Sequence, residues 1–462
     1  SVGPLLPRAG DAGPAPGGAA ASRFGGFRLD PAVGNKATGA PMAKSAGSAG
    51  DGVQLRLDTA SPRLAATRPS EAEQLQRLEA GLAPWVAGSF ATRSRQGEAG
   101  LSRLLAIETP IDLASREFEA GRLGVRARPV ILDSGTPSGR NTLRFGTGAL
   151  VNGEIDDDEQ SANGIAFALD YNIGELSLDV GTTPLGFDVE SFVGGLRWLT
   201  RPTGALQLTG ELSRRAVTDS LLSYAGTTDR LTGVRWGGVV RTGGRVDIAY
   251  DLERYGLYAS GAYYGLGGRN VDENSMLEFG GGLFFRVLQS RRGGDVTVGL
   301  NLTSFGYDRN LRHFTFGHGG YFSPQFFTAV TVPLSWTGRR GRLDYRVDAA
   351  LGLQTFREDG APLYPGFPAL QDELEEIVEF EPTNDIPLGY ESQKVSGLGY
   401  KFGATMEYRF NERMSAGGLV SLDNARDYEE TVVHFYVRYH FSDRDGTRGA
   451  FSTPDLQRGA LP

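Results

Sequence analysis

Residues 431–441 read TVVHFYVRYHF. Val433, Phe435, Val437, Tyr439 and Phe441 occupy every second position, with His434, Tyr436, Arg438 and His440 between them. A period of two places the two sets on opposite faces of a strand. The same alternation recurs from about Trp85 to Phe441, and no helical segment of any length is expected between them. A sheet with one apolar and one polar face must bury the apolar face in something. Closing the sheet into a barrel inside a lipid bilayer does so, with apolar residues outward and polar residues inward. The fold class expected is therefore all-β, a transmembrane antiparallel β-barrel of about 16 strands.

Composition agrees. The 462 residues include 66 Gly and no Cys, and 40% are hydrophobic. Mean hydropathy is -0.26. No run of about 18 apolar residues exists, so no spanning helix is expected, whereas half-apolar strands escape such a scan. The lack of Cys suits passage through an oxidising periplasm, and equally a cytosolic chain. A net charge of -8 gives no reason to expect nucleic acid as a partner. The chain starts at Ser1 without a visible signal peptide, so it reads as a fragment or a processed form.

The chain divides near residue 83. Residues 1–69 are rich in Gly, Ala, Pro and Ser, as in GDAGPAPGGAAAS, and read as a flexible linker to something upstream. Residues 70–83 read as a short periplasmic helix. Ser70 and Glu73 form a capping-box pair, and Leu75, Leu78 and Leu82 share a stripe. It rests against the barrel rim, or it plugs or couples to the pore. Residues 84–441 form the barrel, and residues 442–462 are a polar tail that hangs free or turns back into the lumen.

Strands are expected to begin near Trp85, Leu101, Leu123, Gly164, Glu175, Phe192, Ala205, Arg245, Gly256, Met276, Asp295, Gln325, Leu343, Val395, Met414 and Thr431. An even count with both ends on the periplasmic side requires short turns on one side and long loops on the other. Short turns fall at 201–204, 251–255, 289–294, 337–341 and 411–413. Long loops fall at 133–163, 216–244, 306–324 and 357–394. GVRWGGVV within 216–244 could pass for a strand, and parity makes the whole segment a loop.

Alternation also assigns faces. Leu343, Tyr345, Val347, Ala349, Leu351 and Leu353 face lipid, and so do Leu398, Tyr400, Phe402, Ala404, Met406, Tyr408 and Phe410. Asp344, Arg346, Asp348, Gln354, Lys401, Thr405, Glu407 and Arg409 face the lumen, as do Arg126, Arg128, Glu211, Asp247, Glu278, Arg286, Asn301, His434, Tyr436 and Arg438. Tyr400, Tyr408, Phe410, Trp336, Tyr439 and Phe441 suit an aromatic girdle. A lumen lined by both signs of charge suits a polar, uncharged solute, unless these groups pair across strands and only stabilise the wall.

The loops carry more specific signals. YDRNLRHFTFGHGGYFSPQ, residues 307–325, holds Arg309, Arg312, His313, Phe316, His318, Tyr321 and Phe322. A solvated loop has little reason to carry so many aromatics, so it is expected to pack over or within the pore. Residues 214–238 add Tyr224 and Trp236. Aromatic faces beside hydrogen-bonding groups suit a pyranose ring. The alternative is that these loops fold on themselves and narrow the mouth.

Three stretches carry a resemblance: FTFGHGGYFSPQ at 314–325, SRRAVTDSLLSYAG at 213–226 followed by WGGV at 236–239, and RSRQGEAGLSRL at 93–104. With them the chain resembles the C-terminal outer-membrane barrel domain of bacterial cellulose synthase operon protein C, the cellulose exporter subunit, over roughly residues 70–441. The resemblance implies sixteen strands and export of a β-1,4-glucan polymer across the outer membrane. It also implies partners: outer-membrane lipid and lipopolysaccharide, an upstream periplasmic region of tetratricopeptide repeats, and the inner-membrane cellulose synthase. No cofactor is implied. A general porin, or an exporter of another polysaccharide, is the alternative function. A barrel-embedded enzyme acting on lipid or glycan is the third. Only four histidines exist, at 313, 318, 434 and 440, without a metal-site spacing, and no nucleophile or phosphate-loop motif stands in a suitable context. The acidic run QDELEEIVEFEP, residues 371–382, is expected to be solvated, or to bind divalent cations between lipopolysaccharides.

Overall fold

Sixteen antiparallel strands form one sheet that closes on itself. The computed structural model describes residues 83–441 apart from 117, 119–120, 152–158, 253, 291–293, 381–385 and 426–427. The expected linker, the tail, and all but the last residue of the expected helix lie outside the described residues. In chain order the strands are β1 (Trp85–Arg95), β2 (Leu104–Glu108 continued by Ile111–Ala114), β3 (Arg122–Gly135), β4 (Gln160–Ile173), β5 (Leu176–Thr182), β6 (Phe192–Thr200), β7 (Leu206–Ala216) and β8 (Arg235–Asp251). They continue with β9 (Tyr255–Arg269), β10 (Val271–Ser290), β11 (Gly294–Tyr307), β12 (Phe326–Arg340), β13 (Leu343–Glu358), β14 (Gln393–Arg409), β15 (Met414–Ala425) and β16 (Tyr428–His440). β2 breaks at Pro110, which has no N–H to give the ladder. The barrel shuts where β1 pairs β16, from Trp85 opposite His440 to Arg95 opposite Glu430.

The expected alternation of faces holds along the wall. On β13, Leu351 and Leu353 are exposed while Asp344 and Ala350 are buried. On β16, Phe435, Val437 and Tyr439 are exposed while His434, Tyr436, Arg438 and His440 are buried. Trp336, Tyr408, Phe410, Tyr439 and Phe441 are exposed near the short turns, as an aromatic belt requires, and Phe285 joins them; Tyr400, expected there too, stands in mid-strand opposite Leu351.

Two expectations need correction. Residues 235–244 are not loop but the first half of β8, so the connection from β7 is only 217–234. Gly237 and Gly238 both have positive φ and sit in a bulge between Gly237 and Val240. That bulge offsets the period of two and hides the strand's continuity, while the count of strands stays at sixteen. The acidic run is not loop. Its described residues, 371–380, lie within a helix, α2 (Pro368–Phe380), which follows the five-residue helix α1 (Leu221–Ala225). α2 buries Leu370 and Leu374, four residues apart on one stripe, and leaves its carboxylates on the other face.

Candidate functional site

The connection 217–234 runs into the barrel. α1 opens on a reciprocal cap: Ser220 Oγ accepts from the Ser223 N–H at 3.1 Å, and Ser223 Oγ accepts from the Ser220 N–H at 2.9 Å. Leu221, Tyr224 and Ala225 then pack against Leu104 and Ala106 of β2, Val130 and Leu132 of β3, and Phe187. Those wall residues face inward, because their neighbours Leu105 and Ile131 are exposed. The loop leaves β7 yet meets β2 and β3, with β4, β5 and β6 between them in the wall. It therefore crosses the lumen. Its first residues are held by β1, where Arg93 donates to the Thr218 carbonyl at 2.8 Å and Arg95 donates to the Asp219 carbonyl.

Further loops join it at this end. Phe145–Gly146 pairs with Phe314–Thr315 as a short parallel ladder. Trp236 lies 5.5 Å, ring to ring, from both Phe145 and Phe316, and Phe316 lies 4.9 Å from Phe367. Phe322 meets Phe356 edge-on at 5.1 Å, and Tyr224 meets Phe187 edge-on at 5.2 Å. Tyr321 accepts from Asn274 Nδ2 at 3.0 Å. Asp229 accepts from the Thr147 N–H and hydroxyl, at 2.8 and 2.9 Å to the same oxygen. Arg312 pairs with the buried Glu358 at the end of β13.

A seam between residues 308–325 and 359–392 centres on two histidines. His313 stacks on Tyr390 at 3.4 Å with planes 4° apart, and His318 stands edge-on to His313 at 5.1 Å. His318 Nε2 meets the Pro362 carbonyl at 3.1 Å. Burial holds His313 well below the usual imidazole range and pushes His318 down to about 3, so both are neutral at pH 7. Burial pushes the Tyr390 phenol up to about 12.

The sugar-facing role expected for the loop aromatics is corrected by this packing. Tyr224, Trp236, Phe316, Tyr321 and Phe322, with His318 and Arg312, are buried, and each of the five aromatic rings packs against another aromatic ring. Inward-folded loops need an apolar core of their own, and these residues are that core. Of the loop residues singled out, only Arg309 is exposed, paired with Asp272.

The wall residues pair both across strands and along them. Arg126 pairs with Asp112, and Arg128 lies 3.6 Å from Glu108. Arg245 binds Asp247 at 2.9 Å and Glu278 at 2.8 Å, and stands opposite Glu211 in register. Arg346 binds Asp348 at 2.7 Å, and Arg409 binds Asp344 at 2.8 Å. Arg286 binds both oxygens of Asp251 at 2.8 Å, and Asn301 accepts from the Tyr258 hydroxyl at 2.9 Å. Glu407 accepts from the Tyr436 hydroxyl at 2.5 Å and lies 3.7 Å from Arg438. Arg438 lies 5.1 Å from the Trp85 ring, and His434 stacks on Tyr436 at 5.7 Å. The result is a wall rich in charge with little net sign. Sequence reasoning missed Arg93, Arg95, Asp219, Asp229 and Tyr390. The first two carried a signal, as arginines two apart on the inner face of a strand.

Residues 102–442 match the family described as Cellulose synthase operon protein C C-terminus. Cellulose synthase operon protein C of Pseudomonas fluorescens is 35% identical over 78% of this chain and 27% of its own length. Cellulose synthase 2 operon protein C of Komagataeibacter xylinus is 34% identical over 79% of this chain and 28% of its own. The chain thus spans about a quarter of those relatives, as their percentages of 27% and 28% state. A solved structure titled "Bacterial polysaccharide outer membrane secretin" superposes with a TM-score of 0.48 at 11% identity, covering 78% of this chain and 99% of that one. With a family match across nearly the whole barrel, the chain belongs to the cellulose synthase operon protein C family, in its C-terminal region.

Proposed function

We propose that this barrel conducts a β-1,4-glucan across the outer membrane, from the periplasm at its short-turn end to the cell surface at its long-loop end. The observation that carries the reading is the pairing of opposite charges on the wall. A neutral polymer gains many weak polar contacts from such a surface, whereas a strongly charged solute would call for one sign. The names of the relatives supply the polymer's identity. In this reading the solute meets the paired wall groups around Asp247, Glu278, Arg346 and Asp348, and the folded loops set the width of the mouth. The upstream region and the inner-membrane synthase deliver the chain, and the barrel carries out no chemistry of its own.

The test is a chimera in which a full-length relative carries this barrel in place of its own. Glucan at the cell surface is the expected result. Glucan trapped in the periplasm, with the chimera assembled in the outer membrane, would contradict the proposal.

A further inference from the structure

The stretch RSRQGEAGLSRL opens with two arginines whose task lies beyond the wall. Arg93 and Arg95 lie on the inner face of β1, at its long-loop end. Arg95 is 2% exposed, an uncommon setting for a guanidinium. Its two terminal nitrogens serve different elements. One donates to the Asp219 carbonyl in the crossing loop, and the other reaches Glu430 Oε2 of β16 at 3.3 Å. Arg93 repeats the arrangement, with the Thr218 carbonyl at 2.8 Å and Glu430 at 3.7 Å. One carboxylate on the closing strand thus faces two guanidinium forks, and the forks hold consecutive carbonyls of one loop.

The bonds continue beyond that point. The Asp219 carboxylate accepts from the Phe322 N–H at 3.1 Å, and Ser220 Oγ donates to the Gly320 carbonyl at 2.7 Å. A single bonded path therefore runs from the seam of the barrel, through the crossing loop, to residues 308–325.

We propose that Arg95 is the positioning residue that fixes loop 217–234 as a permanent partition of the lumen, with Arg93 as a second hold and Glu430 as the counter-ion that aims both. Bonds from a guanidinium are charge-assisted and stronger than neutral ones. A buried arginine stripped of a partner is costly, so the fork stays on its carbonyl as long as Glu430 keeps its charge. The five-residue α1 has too few turns to persist by itself, so it depends on this clasp and on its packing. A partition held in this way is part of the passage wall and does not swing with the mouth. The proposal concerns the lumen's geometry and does not depend on which polymer passes.

The absence of cysteine allows a clean reporter. Ala225 is fully buried where α1 meets the inner wall, so A225C should resist a polar maleimide in the folded barrel. Adding R95A should speed labelling about tenfold or more, the equivalent of about 1.4 kcal/mol in the opening equilibrium, and should raise and roughen the single-channel current. R95K keeps the charge but not the fork, and should fall between the two. The gel mobility of unheated samples reports whether the barrel has closed. Should R95A fail to close, E430Q carries the same expectation, because it leaves the arginine and removes its counter-ion. A closed R95A or E430Q barrel with A225C still sealed and the current unchanged would overturn the proposal. Lost heat resistance without faster labelling would overturn it too, since a purely structural ion pair would give that result.

Discussion

An arginine at Leu351 tests the assignment of faces more sharply than any change in the loops. Leu351 is the ninth residue of the sixteen in β13, and its side chain is 58% exposed. It stands opposite Val332 on one side and Tyr400 on the other, and both of those are exposed as well. An apolar band of this kind belongs against lipid, and its middle is where a charge costs most. A cation at the bilayer midplane of a barrel costs about 2–4 kcal/mol. That corresponds to a folding equilibrium about 30- to 700-fold less favourable. Asp348 lies three residues away on the opposite face, in a partly exposed pair with Arg346. Asp348→Arg places its charge in the lumen and forfeits a pair worth about 0–1 kcal/mol. The assay is reversible denaturant unfolding into phosphatidylcholine vesicles, followed by tryptophan fluorescence. L351R should lose several times more stability than D348R. Equal losses, or the reverse order, would mean that the faces are shifted by one residue and that the register read here is wrong.

Removing Trp236 takes the largest side chain out of the loop core, so W236A should cost about 3–5 kcal/mol locally. The loops should become protease-sensitive while the wall still migrates as a closed barrel; an intact, resistant loop body would refute that role. Gly320 has a positive φ, and a Cβ there would lie 2.8 Å from Ser220 Oγ, so G320A should loosen the contact between the crossing loop and residues 308–325 and raise current noise. The seam at His313, His318 and Tyr390 should weaken with acid. Both histidines titrate lower when packed than when released, so the packed seam is fully favoured above about pH 6.5 and loses stability as pH falls toward His318's value of about 3. Gating noise should rise from pH 7 to pH 5, and H318F should flatten the response; equal noise at both pH values would contradict it.

The wall was legible because a membrane barrel must repeat one pattern on every strand. Leu351 beside Asp348, or Phe435 beside His434, shows its face in three residues. Parity then gave the number of strands even where Gly237 and Gly238 broke the alternation. The mouth was legible only as a set of unusual loops. The aromatics at 224, 236, 316, 321 and 322 are what a sugar platform needs, and equally what an apolar core needs. The choice rests on partners far along the chain, such as Arg95 with Asp219 or Thr315 with Leu363. No local period encodes those contacts. α2 was readable in principle, from Leu370 and Leu374 on one stripe, but its carboxylates drew attention to the exposed face instead.

Single-channel current through the reconstituted barrel, with and without oligosaccharides, tests the central claim most directly. Cello-oligosaccharides should block the current in a length-dependent way, and α-linked glucans of equal length should block it less. Large currents indifferent to both sugars would contradict a dedicated glucan path and favour general diffusion.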